Sequence, residues 1–335
     1  MAIDKTGPIT SARPTDEPPS PQGMSAPMRA LFVELAHMEA LYPDSPTLSP
    51  QEGRRIFEQR HARWNQIDIS RLHIERFEIP RPEGADDAIR TVRIQSVDKA
   101  TPGKLLYLHG GGWTYGTLDS FMGIMSHLAE RTGLAVYGIE YALAPEHPFP
   151  SGLEDCLTAW RWLCRQAPDN QPTFIAGDSA GANLALSMMI DLRDMGETQA
   201  QAAALVYGVY CGEEEKASHR LFGQGQFGLT MQRMLWFLNN YRANGVNERE
   251  RPRLFPAEAD LHALPPMLVI AAELDPLRDD SITLAAKLAP TDTPFEFQQV
   301  DGVIHNFLHW SEALPEAAAT LDRIAAFIGS HIGAR

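Results

Sequence analysis

The stretch Thr173 to Leu184 constrains the fold of this chain more than any other. A β-branched and aromatic run stops at Gly177, and an Ala-, Leu- and Met-rich helical pattern begins just after Ser179. The chain therefore turns sharply from strand to helix with Gly177-Asp178-Ser179-Ala180-Gly181 at the corner. Two glycines leave room for a strained serine whose hydroxyl stands clear of the main chain. The N–H groups of the following helix point at the same place, where they stabilise developing negative charge. Gly-x-Ser-x-Gly also recurs by chance, and an ordinary strand-to-helix turn is the plainer reading. The rest of the chain has to decide between them.

Short apolar runs at Leu105–Leu108, Leu134–Ile139, Thr173–Ala176, Ala202–Val209 and Met267–Ala271 have the character of strands buried on both faces. Helical patterns separate them at Phe121–Arg131, Leu153–Arg165 and Ala182–Met195. That alternation predicts βαβ units, a mainly parallel sheet and helices on both of its faces. Leu72–Ile79 and Ile89–Val97 are half-polar and alternate, joined by a hairpin-like Glu83–Asp87, and read as an antiparallel edge. The last units are a helix at Ser281–Leu288, a strand at Phe295–Val300 and a helix at Leu314–Ile328.

Two regions depart from this rhythm. Residues 1–23 carry five prolines among small polar residues and read as a poorly ordered segment. Residues 24–70 hold two short amphipathic helices. One has Met28, Leu31, Phe32, Leu35 and Met38 at helical spacing and ends at Pro43 and Pro46. The other starts at Ser49-Pro50-Gln51-Glu52 and has Ile56, Phe57, His61 and Trp64 as its apolar face. Such helices cannot form a core alone, so they lie on something else, as a lid over a cleft or as plain packing. Between Gly212 and Pro265 the alternation lapses again into a charge run, a Gly-rich loop and one helix. Trp236 and Phe237 on that helix suit either core or pocket wall.

Acidic residues outnumber basic ones 43 to 29, a formal charge of −14, which disfavours nucleic acid or an anionic membrane as partner. The N-terminus lacks a signal peptide's apolar core, and no run is long enough to span a bilayer. Cys156, Cys164 and Cys211 suit free thiols in a reducing compartment, and the expected setting is the cytoplasm. No metal motif or cofactor signature is present, so neither is expected.

Three further stretches complete a site. His109-Gly110-Gly111-Gly112-Trp113 follows a buried strand, and consecutive glycines make sense where backbone N–H groups must approach a ligand. This is the position of the loop half of an oxyanion hole, with a flexible tight turn as the alternative; Gly111 and Gly112 would be donors and Ala180, after the serine, the third. A serine nucleophile needs a base, and the base needs an orienting carboxylate, in the chain order Ser, Asp or Glu, His. Asp275, just past a buried strand, leads over Glu273 and Asp279. His305, on a Gly-containing loop after the last strand, leads over His219, His262, His309 and His331.

With these residues in place the sequence closely resembles the hormone-sensitive-lipase-like family of bacterial carboxylesterases, which includes acetyl esterases. The resemblance runs from about residue 70 to the C-terminus. It rests on His109–Gly112, Tyr141–Pro150, Gly177–Gly181, Asp275–Asp279 and His305–Phe307. It implies an α/β-hydrolase fold, a mostly parallel eight-stranded sheet with helices on both faces. It also implies that residues 24–70 and the 212–245 insertion form a helical cap on the catalytic domain of residues 71–335. The roles implied for Ser179, Asp275, His305, Gly111, Gly112 and Ala180 are those reached above. Two positions depart from the family's pattern. Ala142 stands where the family usually has Arg, so a different local network is expected. Asn306 stands where Gly often follows the histidine, and its side chain would narrow the pocket or add a polar contact.

The expected activity is metal-free hydrolysis of a small-molecule ester with a short- to medium-chain acyl group, through an acyl-enzyme. An amidase or formamidase on the same triad is the alternative, and a non-catalytic receptor on the same fold is a third. Trp113, Tyr115, Phe222, Trp236, Phe237, Asn306 and Phe307 are the expected pocket residues. The last strand and helix offer a surface for a homodimer.

Overall fold

The computed structural model describes residues 22–42, 48–82, 88–166, 171–212, 214–242 and 245–333. The expected disorder of the first residues, the prolines after the first helix and the 83–87 hairpin connection lie outside them. Two helices come first, α1 (Ala26–Leu41) and α2 (Pro50–His61). Ser25 caps α1 by accepting from the Met28 N–H at 3.2 Å, and Ser49 with Glu52 forms a reciprocal capping box on α2.

The sheet follows in chain order: β1 (Leu72–Pro80), β2 (Ala88–Ser96), β3 (Lys104–Leu108), α3 (Met122–Thr132), β4 (Ala135–Ile139), α4 (Ser151–Arg165), β5 (Thr173–Asp178), α5 (Ala180–Asp194) and β6 (Ala203–Val206). The inserted helices α6 (Ala217–Phe222), α7 (Met231–Arg242) and α8 (Arg251–Leu254) precede β7 (Met267–Leu274), α9 (Arg278–Leu288), β8 (Phe295–Ile304) and α10 (Pro315–Ser330). Eight strands pair in the order β1-β2-β4-β3-β5-β6-β7-β8. The β1–β2 and β2–β4 pairs are antiparallel and all the others parallel, as the half-polar first strands predict. β6 is shorter than the apolar run 202–209, because the chain leaves the ladder at Tyr207, whose φ is +37°.

Strand residues alternate between two cores, as a period of two requires. Leu106, Ile175, Leu205 and Val269 face one side, with Leu157 and Trp160 of α4, Leu184 and Met188 of α5 and Leu284 of α9. Leu105, Tyr107, Phe174 and Ile270 face the other, with Leu128 of α3, Leu321 and Ile324 of α10, and Met28 and Leu31 of α1. Both sides of the central strands are therefore covered, and the C-terminal strand ends remain open for the loops that carry the site. Among the described residues, no helix is long and apolar enough to cross a membrane.

The departure at Ala142 has a local consequence. Asp155 of α4 accepts the Ala142 N–H at 2.7 Å and is held bidentately by Arg81, beyond β1, at 2.7 and 2.8 Å. An arginine from elsewhere in the chain thus serves this segment.

Candidate active site

Ser179 sits between β5 and α5 with φ +52° and ψ −120°, a conformation that costs a non-glycine residue of order 1–3 kcal/mol. Neighbours hold it there. Its N–H donates to the Val206 carbonyl at 2.9 Å, continuing the β5–β6 pairing past the strand end. Both flanking glycines are forced by contact. A Cβ on Gly177 would lie 2.6 Å from the Gly181 carbonyl oxygen, and one on Gly181 would lie 1.9 Å from that of Leu108. The helix packs directly on β3 and β5, with no space for a side chain at the crossing.

Three side chains from three loops meet at the C-terminal edge of the sheet. Ser179 Oγ is 3.0 Å from His305 Nε2. His305 Nδ1 is 2.6 Å from Asp275 Oδ2, and Asp275 Oδ1 accepts the Leu277 N–H at 2.8 Å. Asp275 is fully buried, and Ser179 and His305 are 6% and 7% exposed, so only the serine–imidazole end opens on the cavity. The rivals are engaged elsewhere. Glu273 accepts the Gly302 N–H at 2.6 Å, and Asp279 accepts the Ser218 N–H at 2.9 Å. His262 meets Asp292, His219 accepts the Lys216 N–H, and His331 bonds the Phe327 carbonyl.

The glycine loop lies beside the serine. Gly111 and Gly112 have φ of +104° and +59°. A Cβ on Gly111 would meet the Tyr115 carbonyl oxygen at 2.4 Å, and one on Gly112 the Phe237 ring at 2.3 Å. The N–H groups of Gly111, Gly112 and Ala180 donate to no acceptor among the described residues. Donors of this kind on the cavity that Ser179 shares are what an oxyanion would need.

A cavity of about 560 Å³ opens on Ser179 and His305. Trp113, Tyr115, Phe237 and Asn306 line it, as do Phe32, Leu35 and Met38 of α1 and Phe57 and His61 of α2. α1 and α2 therefore each divide their apolar residues between two jobs. Met28, Leu31 and Ile56 are buried, whereas Phe32, Leu35 and Phe57 face the cavity. Arg54 bonds α2 to the body through the carbonyls of Thr114 and Ala144, at 2.8 and 2.9 Å, and through Glu146 at 2.6 Å.

Phe222, Trp236 and Phe307, expected in the pocket, are not among the residues that line it. Phe222 packs on Phe227 and under the Arg278 guanidinium, Trp236 leans on Tyr115, and Phe307 is fully buried against Tyr207. On α7 it is Phe237, one residue on, that covers the glycine loop. Asn306 is left-handed at φ +66°, which glycine and asparagine adopt most readily. That explains why these two residue types suit the position.

Sequence reasoning missed a group of imidazoles beneath the site. His309 packs against His61 at 4.5 Å and Phe121 at 4.6 Å, and His109 stacks between Tyr141 and Phe121. Burial pulls the basicity of His109 down to about 4, and His309 well below the ordinary histidine range, with His61 adding repulsion. His61 keeps some exposed surface, yet its ring, stacked on Phe57, is also held down to about 4 by burial. The only signal in the sequence was His61 at helical spacing on an apolar face.

A histidine whose basicity is depressed on folding contributes stability above pH about 6.5 that is lost as the pH falls toward its folded value. His309→Phe removes one such group, and among the described residues His309 Nε2 has no hydrogen-bond partner to orphan. The melting temperature of this variant relative to wild type should therefore be constant above pH 7. It should rise by several degrees between pH 6.5 and 4.5. A difference that stays constant over the whole range would remove His309 from the acid response.

A family model described as alpha/beta hydrolase fold matches residues 105–309, which contain the glycine loop, the serine, Asp275 and His305. The chain belongs to that family. The branch is the hormone-sensitive-lipase-like one to which the motifs point. Among solved structures, an esterase from the archaeon Pyrobaculum calidifontis is 29% identical, with 92% of this chain and 98% of that chain covered and a TM-score of 0.80. An ester-hydrolase from the metagenome of Lake Arreo, solved with a derivative of bipyridine phosphonate, is 27% identical over 92% and 99% of the two chains, with a TM-score of 0.82. A thermostable esterase from Pseudomonas putida, at 23% identity, 93% and 98% coverage and a TM-score of 0.84, shares the fold. Among the described residues, no group of three His, Cys, Asp or Glu is placed to hold a metal ion.

Proposed function

We propose that this protein is a serine carboxylesterase acting on short- to medium-chain acyl esters. The observation that carries this reading is the relay Ser179 Oγ–His305 Nε2–His305 Nδ1–Asp275 Oδ2, with links of 3.0 and 2.6 Å, beside three N–H donors that have no acceptor among the described residues. The esterases similar to this chain at 27 and 29% identity support the same choice.

In this mechanism Ser179 attacks the ester carbonyl while His305 Nε2 takes its proton, and Asp275 stabilises the imidazolium through Nδ1–H. The oxyanion of the tetrahedral intermediate accepts from Gly111, Gly112 and Ala180. Collapse expels the alcohol, which takes the proton from His305, and leaves an acyl group on Ser179. A water deprotonated by His305 then attacks that acyl group, and the acid leaves with Ser179 restored. Phe237 and the cap helices exclude bulk water, so each hydrogen bond acts in a low dielectric. The cavity, about 560 Å³ and largely apolar at the α1 and α2 side, suits one small ester. Three unpaired cysteines fit a cytoplasmic setting.

The test is a series of nitrophenyl esters from acetate to palmitate, run beside fluorophosphonate labelling. Labelling at Ser179 and a rate maximum between acetate and octanoate are expected. Faster turnover of a matched nitroanilide than of its ester would assign the chain to amide hydrolysis. No labelling at all would leave a binding protein on this fold.

A further inference from the structure

We propose that Asp178, the residue before the nucleophile, positions the oxyanion hole by holding the glycine loop against the elbow. This rests on the esterase reading above. The β3–β5 ladder, which brings the loop and the serine together, ends at the pair Leu108 and Gly177. Past that pair the two chains diverge, one into the glycine loop and the other into Ser179. Asp178 bridges the gap: its Oδ1 accepts the Gly110 N–H at 2.9 Å and the Tyr107 hydroxyl at 2.6 Å. One side chain thus continues by one step the pairing that the main chain has given up.

The fit is close on both sides. Asp178 is fully buried, and a Cβ on Gly110 would lie 2.5 Å from Asp178 Oδ2. Glycine at 110 is therefore required by the carboxylate and not by the loop's own conformation, because Gly110 does not have a positive φ. The remaining ties on this side of the loop are neutral. His109 Nδ1 lies 2.7 Å from the Gly110 carbonyl oxygen, and the Tyr141 hydroxyl donates to the His109 carbonyl at 2.8 Å. A carboxylate acceptor makes a bond roughly twice as strong as a neutral one. It is directed at the residue immediately before the first oxyanion donor. Burial pushes the Asp178 carboxyl up to about 6, opposed by its bonds to Tyr107 and Gly110. Maintaining a buried charge there is costly, and the cost is consistent with a positioning task.

The role is tested by pairing a variant that keeps the acceptor with two that remove it. Asp178→Asn retains an oxygen for Gly110 N–H and Tyr107. Asp178→Ala leaves Gly110 N–H without an acceptor, and Asp178→Leu does so while filling the space. Rates are normalised to active sites titrated with a fluorophosphonate, so that a smaller folded fraction does not register. Asp178→Ala and Asp178→Leu should lose roughly 10²–10³ in kcat, as for loss of one oxyanion donor, with KM changed by less than about threefold. Inhibition by a trifluoromethyl ketone, whose adduct carries the oxyanion, should weaken in parallel. Asp178→Asn should restore kcat to within about tenfold of wild type.

Equal loss in the Asn and Ala variants, a loss carried by KM, or unchanged ketone affinity overturns the proposal. So does failure of both apolar variants to fold, which assigns the carboxylate to the fold alone. Wild-type protein that hydrolyses no ester overturns the functional reading together with this one. Active wild type with fully active Asp178→Ala overturns this one only.

Discussion

Ser179→Ala should abolish ester hydrolysis, lowering kcat by roughly 10⁴–10⁶ and leaving only the residual catalysis of the oxyanion donors and of binding. The change removes one oxygen from a residue 6% exposed, and the strained backbone is held by the Ser179 N–H to Val206 bond, which alanine keeps. The fold should therefore survive. Its melting temperature should lie within a few degrees of wild type, while fluorophosphonate labelling disappears. His305 loses a hydrogen-bond partner at Nε2 and keeps Asp275 at Nδ1, so the base stays in place with nothing to deprotonate. Turnover within tenfold of wild type would show that another nucleophile acts.

Gly181→Ala is the second large effect, and it acts through the fold. An added Cβ would sit 1.9 Å from the Leu108 carbonyl oxygen and 2.6 Å from that of His109. Both are main-chain atoms, of β3 and of the glycine loop, and neither yields as the end of a flexible side chain would. Either α5 moves off the sheet or the loop moves off the elbow. The first costs several kcal/mol of packing, and the second carries the oxyanion donors away from the serine. The expected result is a melting temperature lower by on the order of 10 °C and a rate loss of at least about 10² in whatever protein folds. Gly329→Ala, in the last turn of α10 with nothing within 4 Å of its Cβ, is the control. It should be neutral or slightly stabilising, because alanine restricts the unfolded chain. If Gly181→Ala behaves like the control, the close contact at the elbow is wrong.

Much of this could be read from the residues in order. A strand buried on both faces advertises itself by being apolar throughout, and the half-polar β1 and β2 by alternating. That Ser179, Asp275 and His305 meet, and their rivals do not join them, was legible from position relative to strand ends, since all three stand at the edge where strands stop. The pocket wall was less legible. Phe237 faces the cavity and Trp236 does not, because one residue along a helix turns a side chain by about 100°. The sequence contains no mark of which face α7 presents to the body. Phe307 follows the His305 loop directly, yet the left-handed Asn306 swings it into the core.

Local information was sufficient wherever the chemistry is written in contiguous residues, as in the glycine loop, the elbow, the Asp275 turn and the alternation of strand and helix. Each of these follows from sterics or polarity within a few positions. Only the tertiary structure decided how distant segments share a wall. It set the division of α1 and α2 between core and cavity, the buried imidazoles of His61, His109 and His309, and the bond from Asp178 to Gly110 across the end of the ladder. Those contacts join residues tens of positions apart or more. Their partners are chosen by the packing of whole helices and strands, which no short window of sequence contains.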